Sequence, residues 1–408
     1  MKPMGSIPPG FGQADGWLTI GGARADTLIA QAGGTPLFVY DFALIRQRVA
    51  ALRQAMPDDL HIHYAIKANP LPALVNAMAG IVDGLDVASG GEVAVALASG
   101  AQHISFAGPG KRESELEAAI RADVVINLES EAEARRAFAI GDRLGRTPRL
   151  AVRVNPDFDL KGSGMRMGGG AKPFGVDAER VPALVREIVG AGADWRGFHI
   201  FAGSQALDAQ AISDTQAQTI ALAARLANEA GRAPPFVNLG GGLGVPYFPG
   251  DKPVDTSVVG ENLERFLSQR DDIIKQTDFA MELGRYLVAE AGVYLTTVID
   301  RKLSHGEVFL VTDGGLHHQL AASGNFGTVV RRNYPVAVAS QFGAAPTEEA
   351  NVVGCLCTPL DRLGDQVALP RAEEGDVMAV FMAGAYGASA SPSAFLGHEP
   401  AREMLLNT

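Results

Sequence analysis

Residues 63–70 read HYAIKANP and place one lysine, Lys67, directly after the apolar Tyr64, Ala65 and Ile66. An ammonium at a buried strand end must be solvated, paired or used chemically, because desolvating it unpaired costs several kcal/mol. Burial would lower its basicity and make the amine a nucleophile. The plainer reading is a surface lysine at a strand terminus. Which one holds depends on what surrounds the stretch.

Outward from it, short apolar runs alternate with segments of helical spacing. TPLFVYD reads as a strand, FALIRQRVAALRQAM as a helix, LHIHYAIKA as a strand and PLPALVNAMAGI as a helix. GLDVAS, ISFAG, VVINL, RLAVRVNP, WRGFHIF, PFVNLGG and DFAMELG supply further strands with helical spacers between them. About eight or nine rounds over roughly 260 residues predict an α/β fold, a (β/α)8 TIM barrel, with its chemistry at the C-terminal strand ends. After about residue 293 the texture turns to β-rich runs such as VYLTTVIDRKL, EVFLVTDGG and DVMAVFMAGAY, a mostly β C-terminal domain. The expected boundaries are 1–34 for an N-terminal segment joining the β domain, 35–293 for the barrel and 294–408 for the β domain. SGMRMGGGAKPFG reads as a mobile glycine-dense loop.

The 408 residues are 47% hydrophobic with a formal net charge of −11 and no run of Lys and Arg, so neither nucleic acid nor an anionic membrane surface is an expected partner. No uninterrupted apolar stretch is long enough for a membrane span, and the opening MKPMGSIPPGFG lacks the apolar core of a signal peptide, so a cytoplasmic location is expected. The two cysteines, Cys355 and Cys357, have one residue between them on an expected strand and are expected to face opposite ways. A mutual disulfide is implausible, and Cys355 reads as packing. No histidines stand at the i, i+4 spacing of a helical zinc pair, and no metal is expected.

Unusual residues cluster where barrel strands end: Lys67, Asp86 in GLDVAS, Arg153 in AVRVNP, His199 and Ser204 in FHIFAGSQ, Gly240, Gly241 and Gly242 after FVNL, and Glu282 with Arg285 in MELGR. Consecutive glycines let backbone N–H groups approach an anion, and a helix behind them would add its positive end. With Ser204, Arg285 and Tyr386 of GAYG they could complete a phosphate cup. A lysine beside a phosphate site points to pyridoxal 5′-phosphate held as a Schiff base. Other readings stay open residue by residue: Asp86 as the cap of the following helix, Arg153 as a structural ion-pair member, Glu282 as a charge at a helix N-terminus.

HYAIKANP, GLDVASGGE, FAGPGK, RVNP, HIFAGSQ, LGGGLG, ELGR, CTPLD and GAYG, in this order over roughly residues 25–400, resemble the alanine-racemase-fold decarboxylases of the ornithine, diaminopimelate and arginine group. SGMRMGGGAKPFG, DGGLHHQLAASGNFG and RRNYP resemble more closely the subgroup associated with exosortase and exopolysaccharide gene clusters, whose relatives act on amino acids tethered to carrier proteins. The resemblance implies an α-decarboxylase working as a homodimer with shared sites. It implies that Lys67 carries the cofactor, that Glu282 pairs with the ring nitrogen, and that Gly240 to Gly242, Ser204, Arg285 and Tyr386 hold the phosphate. Asp86 and Arg153 would stand near the Schiff base, and Cys357, donated across the dimer, would return a proton.

Two departures bear on this. Phe201 stands where the family usually has histidine, while His199 matches an earlier histidine of the motif; a phenyl ring stacks but carries no proton. Thr358 follows Cys357 where enzymes of diamino acids carry an acidic residue, which disfavours a basic distal end; Asp361 could partly compensate. Arg331 and Arg332 lie near where diaminopimelate enzymes bind a distal carboxylate, and could equally be surface charges. Diaminopimelate decarboxylation, amino-acid racemisation and non-catalytic cofactor carriage remain the alternatives, with Glu282 against the second and CTPLD against the third.

Overall fold

The computed structural model describes residues 2–324 and 332–408, in two compact units. One comprises residues 48–245 and 253–286, the other residues up to 47, 246–252 and 287–408. Arg331 lies outside the described residues.

In the first unit eight parallel strands follow in the order His61–Ala65, Gly84–Val87, Ile104–Phe106, Val125–Leu128, Arg149–Asn155, Asp194–Ile200, Phe236–Asn238 and Asp278–Leu283. The last pairs back onto the first, with Glu282 opposite His63, and closes the expected barrel. The connecting helices form where the spacing predicts them. In Glu131–Leu144 the residues Ala134, Ala137 and Ile140 are buried on one face, and the Ser130 side chain accepts the Glu133 N–H; such a cap contributes about 1 kcal/mol. Ser89 does the same for Gly90–Ala98, which frees Asp86 from capping.

The second unit is mostly β. Its spine is the 13-residue strand Gly292–Ser304, which pairs with Leu37–Asp41, Val377–Val380 and Glu307–Thr312. Leu37, Val39, Val293, Leu295 and Phe381 form its core together with Leu18 and Ile20. Burying each such side chain contributes about 1.5–3 kcal/mol.

Several expectations are corrected. Leu37–Asp41 is a strand, but it pairs with Gly292–Ser304 and Arg402–Leu406 rather than in the barrel; a strand buried on both faces reads alike in either sheet. The barrel unit therefore begins near residue 48, not 35, and ends near 286, not 293. The strand of ADGWLTIGG, Trp17–Ile20, forms its own three-stranded sheet and joins the β unit through core packing instead of extending its large sheet. The cysteines follow strand Glu348–Val353 in a bend rather than lying on a strand; on a strand, residues i and i+2 would have shared one face, so the expected opposite facing does not follow from strand geometry. Part of the glycine-dense loop is paired: Met165–Arg166 runs antiparallel to Gly203–Ser204. Among the described residues no helix is long and apolar enough to cross a membrane.

Candidate active site

Strand His61–Ala65 ends in one 3-10 turn, Ile66–Ala68, which carries Lys67 past the strand. The lysine is exposed, not buried as expected, because the turn lifts it out of the barrel; its side chain keeps 45% of its accessible surface. Its Nζ stands 3.6 Å from Glu282 Oε1 and 5.7 Å from the centre of the Phe201 ring. It is thus an amine at the barrel end with the Glu282 carboxylate and an aromatic face beside it, and its charge acts on Glu92 as well.

Glu282 is buried on strand Asp278–Leu283, so its alternative as a helix-terminal charge falls away. Its Oε2 accepts a hydrogen bond of 2.8 Å from His199 Nε2. A carboxylate can only accept, so that nitrogen carries the hydrogen. Burial alone would favour the neutral acid, but the Lys67 ammonium and the His199 N–H hold Glu282 well below the usual carboxylate range. His199, expected among the cofactor contacts, is the group that orients this carboxylate. Glu282 stands directly opposite His63 on the neighbouring strand, while His199 is opposite Asn238 and through it level with Ala280, two residues before Glu282, so its side chain reaches along the barrel to the carboxylate.

Asp86 is buried, and its Oδ2 lies 3.4 Å from His63 Nδ1. Burial works against a charged imidazole, yet Asp86, with Glu282 beyond it, holds His63 above its ordinary range. Neither Asp86 oxygen has a hydrogen-bond partner, so the carboxylate remains an unspent acceptor. Arg153 is an ion-pair member: its Nη1 donates to Glu129 Oε1 at 2.9 Å, and its guanidinium lies over Phe174. Glu129 also accepts the N–H groups of Gly108 and Gly175. Sequence reasoning missed His63 and Glu129. The odd spacing of His61 and His63 on a barrel strand was the available signal for the first.

The glycine turn packs more tightly than an anion site alone requires. A Cβ on Gly241 would lie 1.9 Å from the Glu282 carbonyl oxygen, and Gly240 and Gly242 take φ of 70° and 94°. Glu282 N–H donates to the Gly240 carbonyl, so the turn and the strand that bears Glu282 are joined. No helix starts behind the turn; the next one begins at Thr256. Arg285 opens the short helical turn Arg285–Val288, and Ser204 lies in the strand pair of the glycine-dense loop. Cys357, Thr358, Asp361, Arg332 and Tyr386 belong to the β unit. There Cys357 is exposed and Tyr386 adopts a φ of 53°. Arg332 is exposed, with its guanidinium 3.8 Å from the Phe248 ring centre. Asp361 is buried and its carboxylate accepts the N–H groups of Leu316 and Leu356, so it clamps two loops.

A lysine amine, a carboxylate kept ionised and an aromatic face at the C-terminal ends of a closed parallel barrel are an arrangement in which an enzyme of the barrel class can carry out Schiff-base chemistry. Residues 42–289 match the family model "Pyridoxal-dependent decarboxylase, pyridoxal binding domain". The chain is 35% identical over 387 residues to the L-glutamyl-[BtrI acyl-carrier protein] decarboxylase of Niallia circulans, covering 93% of this chain and 90% of that protein. It is 32% identical to the diaminopimelate decarboxylase of Aquifex aeolicus, over 91% of this chain and 87% of that one. The diaminopimelate decarboxylase of M. jannaschii in complex with L-lysine superposes with a TM-score of 0.88 at 25% identity, covering 98% and 93% of the two chains. The chain belongs to the pyridoxal-dependent decarboxylases. It is a carboxy-lyase of an amino acid or amino-acid-like group, which sets racemisation and cofactor carriage aside.

Proposed function

We propose that this decarboxylase binds pyridoxal 5′-phosphate at Lys67, works as a homodimer, and acts on an amino-acid-like group carried on a protein rather than on a free diamino acid. The carrying observation is Thr358, a neutral residue directly after Cys357. A carboxylate there would give a distal ammonium a charge-assisted hydrogen bond of about 1.5–3 kcal/mol, and this chain offers none at that position. The relative from Niallia circulans, whose name specifies a carrier-bound glutamyl group, supports the same reading.

The residues fit the cofactor: an exposed amine for the aldehyde, an ionised buried carboxylate for the ring nitrogen, and the Phe201 face beside Nζ. Bound there, pyridoxal phosphate supplies an electron sink for the pair left when CO2 departs. Glu282 holds its negative charge where the ring nitrogen must stay protonated, and His199 fixes its orientation. Gly240 to Gly242, Ser204, Arg285 and Tyr386 would take the phosphate. Asp86 and Arg153, with His63 and Glu129 behind them, would line the lysine side. Cys357 Sγ–H gives its proton to the carbon that lost the carboxylate, and solvent reprotonates the thiolate. Exposure of that thiol on the single chain supports its delivery to a partner's site.

The test is CO2 release from a glutamyl group on a carrier protein and from free meso-diaminopimelate, ornithine, arginine, lysine and glutamate. Release from the carrier-bound group, abolished by Lys67→Ala, is expected; efficient release from free diaminopimelate overturns the substrate reading. Sedimentation is expected to give the mass of two chains.

A further inference from the structure

Away from the residues used above, the β unit buries a histidine with nothing to bind. His317 is 0% exposed, and neither of its ring nitrogens has a hydrogen-bond partner. Leaving a buried imidazole unsatisfied is costly, so the group calls for a ligand. Its surroundings suggest which one.

Strands Glu307–Thr312 and Glu348–Val353 are parallel neighbours, with Val311 opposite Val353, so the loops that leave them emerge at the same end. One loop carries His317 and the other Cys355. Asp361 clamps them together by accepting Leu316 N–H at 2.6 Å and Leu356 N–H at 2.8 Å. A Cβ on Gly315 or on Gly354 would lie 2.3 Å from an Asp361 oxygen, so glycine is needed at both places for this clamp to close. His398, just before strand Arg402–Leu406, completes the cluster: its Nε2 is 3.9 Å from Cys355 Sγ, and its ring centre is 5.0 Å from that of His317.

One ligand atom from each of His317, Cys355 and His398 lies within 4.8 Å of the others. His318 is not a fourth member. Its Nδ1 meets Tyr294 Oη at 3.0 Å and its Nε2 the Glu399 carbonyl at 2.8 Å, while its ring packs 3.7 Å from that of His317 and holds it in place.

We propose that His317, Cys355 and His398 form a three-ligand site for a zinc-class divalent cation, with the fourth position open. Thiolate and imidazole together select a borderline-soft ion over magnesium or calcium. Tetrahedral zinc holds such atoms about 3.3–3.6 Å apart, so the cluster closes by a few tenths of an ångström to about 1 Å. On binding, Cys355 loses its thiol proton to solvent and both imidazoles bind through a neutral nitrogen. The site ties the loop that bears Cys357 to the segment around His398. It escapes a sequence reading because its ligands come from three loops about 40 residues apart, with none of the short spacings of zinc motifs.

The tag-free holoenzyme, stripped by a chelator and returned to zinc, is expected to retain about one zinc per chain by plasma mass spectrometry. The zinc X-ray absorption edge should fit one sulfur and two imidazole nitrogens. Cys355→Ser and His398→Gln should each weaken uptake at least about ten-fold, and Cys357→Ser should leave it unchanged. Circular dichroism of each zinc-free variant identifies any that misfolds, and His398→Gln, towards the surface, serves if Cys355→Ser does. Substoichiometric uptake by the wild type, undiminished uptake by a folded Cys355→Ser, or loss of uptake in Cys357→Ser overturns the proposal. None of these readouts uses catalysis, so they stand or fall apart from the substrate reading.

Discussion

The barrel unit and the β unit both gather titratable side chains at the ends of parallel strands around one carboxylate, but the two carboxylates are used differently. Glu282 faces side chains, Lys67 at 3.6 Å and His199 at 2.8 Å, and its charge is available to whatever the lysine holds. Asp361 accepts two backbone N–H groups, which makes it a clamp between two loops; burial, and after it the Asp361 charge, pushes the neighbouring Cys355 thiol up. A carboxylate balanced by side chains tunes chemistry; one satisfied by the backbone sets shape. Breaking each in turn should therefore give opposite signatures.

The largest effects fall on turnover. Cys357→Ala is expected to lower CO2 release by about 10²–10⁴-fold, the range for a lost general acid. Its exposed position should keep the stability change within about 0.5 kcal/mol. A loss smaller than ten-fold in single-turnover assays would remove Cys357 as the proton source.

Glu282→Gln is expected to cost about 10²-fold in kcat with cofactor still bound, read by the cofactor's absorbance. The pH dependence has a defined sign. The folded carboxyl lies below its unfolded value, so its contribution to stability is full above the ordinary carboxylate pKa of about 4.3 and fades as pH falls towards the folded value. Acid unfolding of Glu282→Gln should lack that component.

Asp361→Ala should do the reverse. It strands two buried N–H groups at about 1–3 kcal/mol each, visible as a lower denaturation midpoint, and zinc uptake should fall with it. Turnover per folded, cofactor-loaded enzyme should change less than in Glu282→Gln; a stable variant with intact loops would end the contrast.

Glu115 gives the smallest effect and belongs to neither cluster. It accepts the N–H groups of Arg112 and Gly90, and the Arg112 side chain with these donors brings its carboxyl down to about 2. Glu115→Gln is expected to cost about 1 kcal/mol at neutral pH, with turnover unchanged. The difference from wild type should shrink as pH falls from about 4.5 towards 2, measured by urea midpoints.

Much of this was legible in the chain. Periodicity located the barrel strands and most helices, and ordered motifs singled out Lys67, Glu282 and the glycine turn. Misreadings arose where local pattern underdetermines partners. Leu37–Asp41 has the unbroken burial of a barrel strand because both of its faces are covered, as they are in a barrel. Lys67 reads as buried from the apolar residues before it, yet one helical turn exposes it. Asp361 reads as a substrate contact from its place after Cys357, but only the folded loops show that backbone N–H groups take its oxygens.

By itself the sequence determined the class of chemistry: which strands form, where each ends, and which lysine and carboxylate stand at those ends. The strands follow from periods of 2 and 3.6, which act over a few residues, and the lysine and carboxylate from motifs whose order along the chain resembles a known family's. Tertiary structure alone decided which sheet receives a buried strand, that His199 orients Glu282, and that His317, Cys355 and His398 meet. Those outcomes depend on which loop ends share one edge of a sheet, a long-range pairing that no local window of residues encodes.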